Sequence, residues 1–196
     1  MRAGLSTSQT TDLRDALSRG LPMIEGVPRH IGGKSIEEGL WRFFSPNHPA
    51  CGIRRWNEEW SSAWGVANDG VFTFGEDVFG NQLLFTPART TVLLCDHENG
   101  ACYDLELGVL DLLEAAVEHG LSWIDFYSNG ALSVGRGFLP QVNWEQHLHW
   151  TRPLILGGAV TAENTAVVDR FTHLHGHAKL WRQVSDLPPG TEVQVQ

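Results

Sequence analysis

Short apolar runs bounded by turn-forming residues recur through the middle of the chain. Val71 to Gly75 and Gln82 to Thr86 read as strands on either side of a turn, Glu76 to Asn81, in which Gly80 and Asn81 tolerate positive φ. Leu40 to Phe44 reads as a further short strand, stopped by Ser45-Pro46-Asn47-His48-Pro49. Thr91 to Asp96 and Ala101 to Leu105 flank Glu98-Asn99-Gly100 and predict a second hairpin. Successive strands joined by short turns predict an antiparallel meander.

Helical spacing is clearest over 108–119. Val109, Leu112, Leu113, Ala116 and Val117 share one face, Asp111, Glu114 and Glu118 lie opposite, and Gly120 supplies a stop. A last helix is expected from Glu163 to Val184, with Val167, Phe171, Leu174, Ala178 and Trp181 on one side. Leu187-Pro188-Pro189-Gly190 ends it. A first helix is expected after Thr10 or Thr11, carrying Leu13, Ala16 and Leu17 and ending at Gly20. Trp56, Trp60 and Trp64 fit both periods; Ile53 to Trp56 is expected to be extended and the rest is left open. The Trp stripe is read as core. Pro153 to Gly158 is a short apolar run closed by glycines. There is no repeat, low-complexity tract or linker, so the expectation is one α+β domain.

At 196 residues the chain is long enough to bury a core without metal or disulfide. Its net charge of −9 argues against gripping nucleic-acid phosphates or an anionic membrane surface, and favours a basic partner. The charge is uneven: no Lys or Arg lies between Arg89 and Arg136, whereas that window holds Asp96, Glu98, Asp104, Glu106, Asp111, Glu114, Glu118 and Asp125. Glu118 falls in the last turn of its helix, where the helix dipole disfavours an anion. A face selected for stability alone would mix in Lys. No apolar run approaches the ~20 residues that span a bilayer, and the N-terminus has no signal-peptide pattern. With three cysteines, Cys51, Cys95 and Cys102, an odd number, this predicts a reducing cytoplasm and free thiols acting as small buried hydrophobes, with a redox pair of Cys95 and Cys102 across their hairpin as the alternative.

Histidines supply the most concentrated candidate chemistry: His147, His149, His173, His175 and His177. On a helix His173 and His177 share a face and His175 points elsewhere, so a metal would need outside ligands such as His147 or His149. With no H-E-x-x-H and no cysteine pair at metal spacing, the expectation is no metal and no cofactor. Gly32-Gly33-Lys34-Ser35 resembles the end of a phosphate loop, but Pro28 occupies the place of its leading glycine and no apolar strand precedes it. No nucleophile motif is present, and neighbouring acids such as Glu58-Glu59 and Glu76-Asp77 are read as solvated.

The string V-F-T-F-G-E-D-V-F-G-N-Q-L-L-F from Val71 to Phe85 resembles the signature hairpin of the SUKH superfamily, the Smi/Knr-like proteins. Trp56 upstream, the hairpin at Asn99-Gly100 and the helix over 108–119 follow that family's order. Pro153 to Gly158, Glu163-Asn164 and Leu187 to Thr191 are similar to the end of its long members. The first forty residues match no part of the pattern and are read as an N-terminal extension of one domain spanning 1–196. The resemblance implies a mixed or largely antiparallel sheet with helices packed on it. It also implies a non-enzymatic, cytoplasmic immunity protein that neutralises a secreted toxin, often a nuclease, by stoichiometric binding. It carries over no catalytic residue. Combined with the charge pattern, it nominates Asp111, Glu114 and Glu118, with Glu76 and Asp77, as the partner-binding surface. The alternatives are a small enzyme or metal-binding protein using the histidine-rich C-terminal region, and a regulatory adaptor on the same scaffold.

Overall fold

The computed structural model describes residues 33–45, 52–65, 72–85, 89–98, 100–127, 130–188, 190, 191 and 193. The helix expected after Thr10 lies outside them, as does Cys51. Six strands form one antiparallel sheet in chain order: β1 (Lys34–Ile36), β2 (Trp41–Phe43), β3 (Phe72–Asp77), β4 (Gln82–Phe85), β5 (Leu93–Cys95) and β6 (Cys102–Asp104). This is the expected meander, extended at its first edge by β1, which carries Lys34 and Ser35 of the phosphate-loop-like string. A second, two-stranded sheet pairs β7 (Gln146–Trp150) with β8 (Thr165–Asp169). The helices are α1 (Ile53–Trp64), α2 (Val109–Glu118), the short α3 (Ala131–Gly135) and α4 (Arg170–Val184). The α+β expectation holds.

The β3–β4 turn closes as its residues dictate. Gly80 has φ +87°, and a Cβ there would meet the His147 ring at 2.9 Å. Asp77 Oδ1 accepts from the Phe79 and Asn81 amides at 2.8 and 3.0 Å, so the acid and the glycine fix the turn together. Backbone bonds then seat the second sheet on the first: the Val78 amide donates to Leu40 O and the Leu148 amide to Val78 O, both at 2.8 Å. Trp41, Phe44, Trp56, Phe79, Leu83, Leu94, Leu112, Leu121 and Trp150 are buried in one continuous core.

Three sequence expectations require correction. Ile53 to Trp56 is not extended but opens α1, because Ile53, Trp56, Trp60 and Ala63 recur at helical spacing and Gly65, at φ +67°, ends the helix. Asn57, buried, then locks α1 to β3 by donating to Thr73 O and accepting from the Thr73 amide. The last helix begins at Arg170 rather than Glu163, since the β-branched run Thr165 to Val168 pairs with β7 and Asp169 caps the helix by accepting from the Thr172 amide at 2.8 Å. Val167 therefore belongs to a strand, and Phe171 and Trp181 are half-buried. Cys95 and Cys102 are not free thiols: they stand directly opposite across β5–β6 and form a disulfide.

Candidate functional site

β3 runs through the middle of the large sheet, and its end is covered by β7 and the first turns of α4. Glu76 and Asp77 are consequently buried, not solvated, and cannot join an exposed partner surface as expected. Glu76 Oε1 faces Arg170 Nη2 at 2.9 Å and His147 Nε2 at 3.1 Å, and Oε2 accepts from Gln82 Nε2 at 3.2 Å. Neither contact to Oε1 is a well-aligned hydrogen bond: Arg170 holds the carboxylate by charge, while burial pushes the His147 pKa below the ordinary imidazole value, so that its ring faces the carboxylate as a neutral N–H group. Burial raises the Glu76 pKa, but Arg170, then His147 and Arg42, overcome it and hold the carboxyl at about 2. Arg170 is itself fully buried, with its guanidinium 3.9 Å from the Trp56 ring centroid. Gln82 Oε1 accepts from both Trp56 Nε1 and Thr73 Oγ1 at 2.6 Å, so the carboxylate's neighbours are themselves fixed.

A file of imidazoles leads away from Glu76. His147 Nδ1 lies 3.2 Å from His173 Nδ1, and His173 Nε2 lies 3.1 Å from His97 Nε2. His97 Nδ1 meets Asn81 Oδ1 at 3.1 Å, and Asn81 Nδ2 donates to Asp77 Oδ2 at 2.8 Å. His177 Nε2 stands 3.2 Å from Glu98 Oε1, while Glu98 Oε2 accepts from the Leu154 amide at 3.0 Å. Single ligand atoms of His97, Glu98, His173 and His177 all lie within 4.8 Å of one another. Burial pushes His97 and His173 well below the ordinary imidazole pKa, with neighbouring histidines adding to the effect, and brings His177 to about 4. Burial also raises Asp77 to about 7, against the pull of its hydrogen bonds with Asn81 and Phe79, and raises Glu98 to about 8.

The expected sharing of a helix face by His173 and His177 is observed, and His175 does point elsewhere, pairing at the surface with Glu59 at 3.1 Å. His147 joins the cluster through His173, and half-buried His149 packs its ring 5.7 Å from that of His173. His97, Glu98, Asn81, Gln82 and Arg170 were not anticipated. Asn81, His97 and Glu98 showed only turn chemistry, Gln82 and Arg170 showed no local signal, and sequence spacing does not show that the β5–β6 turn folds onto α4. Gly100 marks that contact, since a Cβ there would meet the Trp181 ring at 2.6 Å.

No protein-family model matches the chain, and no curated protein matches it. Among solved structures the fold is similar to that of Atu4351 from Agrobacterium tumefaciens. The TM-score is 0.54 at 15% identity, over 86% of this chain and 80% of that one. This likeness concerns the fold.

The acidic window divides between interior and surface. Asp96 and Glu98 are buried, and Asp104 pairs with Arg89 at 3.3 Å at the surface. On α2, Asp111 in the first turn and Glu118 in the last are exposed, and Glu114 is half-buried. Trp123 is 41% exposed just beyond α2, one of two large hydrophobics so exposed among the described residues. Asp125 turns inward, accepting from the Leu132 amide and from Ser133 Oγ. No helix among the described residues is long and apolar enough to cross a membrane.

Proposed function

We propose that this chain is a non-enzymatic binding protein that neutralises a basic toxin by stoichiometric association, through the outer face of α2 and the segment that follows it. The observation that carries the reading is the exposed acidic face of α2. Asp111 and Glu118 stand in solvent within a window free of Lys and Arg, and Trp123, exposed, follows five residues after Glu118 in the chain. Charge of one sign speeds encounter with a basic partner, and an exposed aromatic supplies an anchor that can be desolvated on contact. The resemblance of Val71 to Phe85 to the SUKH hairpin supports the same role. The carboxylates Glu76, Asp77 and Glu98 are enclosed by protein groups, which suits a scaffold role for them.

The reading places the protein in the cytoplasm, where an incoming toxin would act. A reducing poise there would open Cys95–Cys102, since Cys102 is exposed. The backbone pairing of β5 with β6 and the contacts of Glu98 hold the turn without it. The test is growth rescue on co-expression with a candidate basic toxin domain. Wild type is expected to protect, and Asp111→Lys/Glu118→Lys to protect less at equal abundance. Equal protection by both removes the α2 face from the interface.

A further inference from the structure

The file of hydrogen-bond partners fixes which imidazole nitrogens carry protons. Asn81 Nδ2 donates to the Asp77 carboxyl, and Asn81 Oδ1 already accepts from the His97 amide, so the oxygen of Asn81 faces the His97 ring. His97 Nδ1 must therefore be the donor in its 3.1 Å contact with that oxygen, which leaves Nε2 of the neutral ring with a bare lone pair. At the other end, His147 Nε2 faces the Glu76 carboxylate and carries its proton there, so His147 Nδ1 is bare. The 3.2 Å contact from His173 Nδ1 to that atom then requires the proton on His173 Nδ1, which leaves His173 Nε2 bare as well. Two bare lone pairs, His97 Nε2 and His173 Nε2, thus confront each other at 3.1 Å inside the protein. Nothing in that arrangement holds them together except a positive centre shared between them.

Two further atoms converge on the same spot. Glu98 is 5% exposed, and its Oε1 has no aligned hydrogen-bond partner; it stands 3.2 Å from His177 Nε2 and 3.9 Å from His97 Nε2. A tetrahedral zinc ion with bonds of about 2.0–2.1 Å separates its ligand atoms by roughly 3.3 Å. The contacts of 3.1, 3.2 and 3.9 Å bracket that value, and the full set spans no more than 4.8 Å. We propose that His97, Glu98, His173 and His177 form a binding site for a first-row divalent cation, zinc by its donor set, that fastens the β5–β6 turn to α4. Three imidazoles and one carboxylate close four positions, so the site is structural rather than catalytic. Asn81 behind His97, and Glu76 through His147 behind His173, are the outer groups that hold two ligand rings in the binding tautomer.

The test uses the full chain without a histidine tag. Purified protein is stripped with chelator and titrated with zinc, following bound metal, thermal melting and, with cobalt in place of zinc, the visible absorption of a tetrahedral site. The expected result is one metal per chain, a raised melting temperature and a tetrahedral cobalt spectrum. Glu98→Gln can keep a hydrogen bond to the Leu154 amide through its carbonyl but presents an amide to the ion, and is expected to weaken zinc binding by at least ~10-fold. His173→Gln is expected to abolish it, and His175→Gln, at the surface, to leave it unchanged. If Glu98→Gln and His173→Gln bind zinc as tightly as wild type, the proposal fails. It also fails if folded wild type binds no zinc. Should His173→Gln not fold, the wild-type cobalt spectrum and Glu98→Gln decide the matter.

Discussion

Glu76 and Arg170 form a fully buried ion pair at the junction of the two sheets and α4, and removing either partner should be severe. Glu76→Gln keeps the shape of the side chain but removes the anion that faces the Arg170 guanidinium at 2.9 Å, and turns an amide toward Gln82 Nε2, which donates to Glu76 in the wild type. Breaking a buried pair in this way costs about 3–5 kcal/mol. The same pair expressed as pH linkage gives a comparable magnitude: the carboxyl is held at about 2 against an ordinary 4.5, which at 1.36 kcal/mol per pH unit is about 3 kcal/mol. Because the folded-state value is depressed, this stability is fully present above pH 4.5 and is lost as pH falls toward 2. The assay is urea unfolding followed by Trp fluorescence, for wild type, Glu76→Gln, Arg170→Met and the double variant. Each single variant should lose several kcal/mol. The double variant should lose less than their sum by at least ~2 kcal/mol, since it removes both charges of the pair together. The part of the wild-type advantage over Glu76→Gln that comes from Glu76 ionisation should be constant from pH 7 to 5 and decline below pH 4.5. Losses under 1 kcal/mol that simply add would refute the pair as a stabilising junction.

Gly80→Val should cost about 2–4 kcal/mol in thermal unfolding, from the left-handed φ and from contact with the His147 ring; an unchanged melt would contradict the turn. A non-reduced peptide map should link Cys95 to Cys102, and Cys102→Ser should cost about 2 kcal/mol for so short a loop; recovery of both as free thiols from oxidised protein would overturn the pairing. Asp111→Lys/Glu118→Lys should change unfolding free energy by less than about 1 kcal/mol, because both side chains are exposed; a larger loss would mean that the α2 face is structural.

The meander and α2 were legible because short apolar runs between turn residues and the Val109-Leu112-Leu113-Ala116 stripe are local signals. Where two periods competed, the choice failed at Ile53 to Trp56: four residues are too few to separate them, and Ala63 and Gly65 further on decide for a helix. The start of α4 was missed because Val167 fits the helical face extended backward. The signal for a strand is its pairing with Leu148, 19 positions earlier in the chain. The buried cluster was half legible. His173 and His177 at i,i+4 were visible, but their partners His97 and Glu98 come from a turn some eighty residues away, brought in by packing of that turn on α4. Glu76 and Asp77 misled for a related reason: in an isolated hairpin such acids face water, and only the second sheet and α4 cover them.

The claim that the exposed acidic face of α2 recognises a basic partner is tested most directly by association kinetics with a candidate toxin domain across ionic strength. The wild-type association rate should fall steeply as salt rises. Asp111→Lys/Glu118→Lys should associate more slowly at low salt and converge on wild type at high salt, where charges are screened beyond a Debye length of ~3–8 Å. Equal association rates for the two proteins at low salt would contradict the claim.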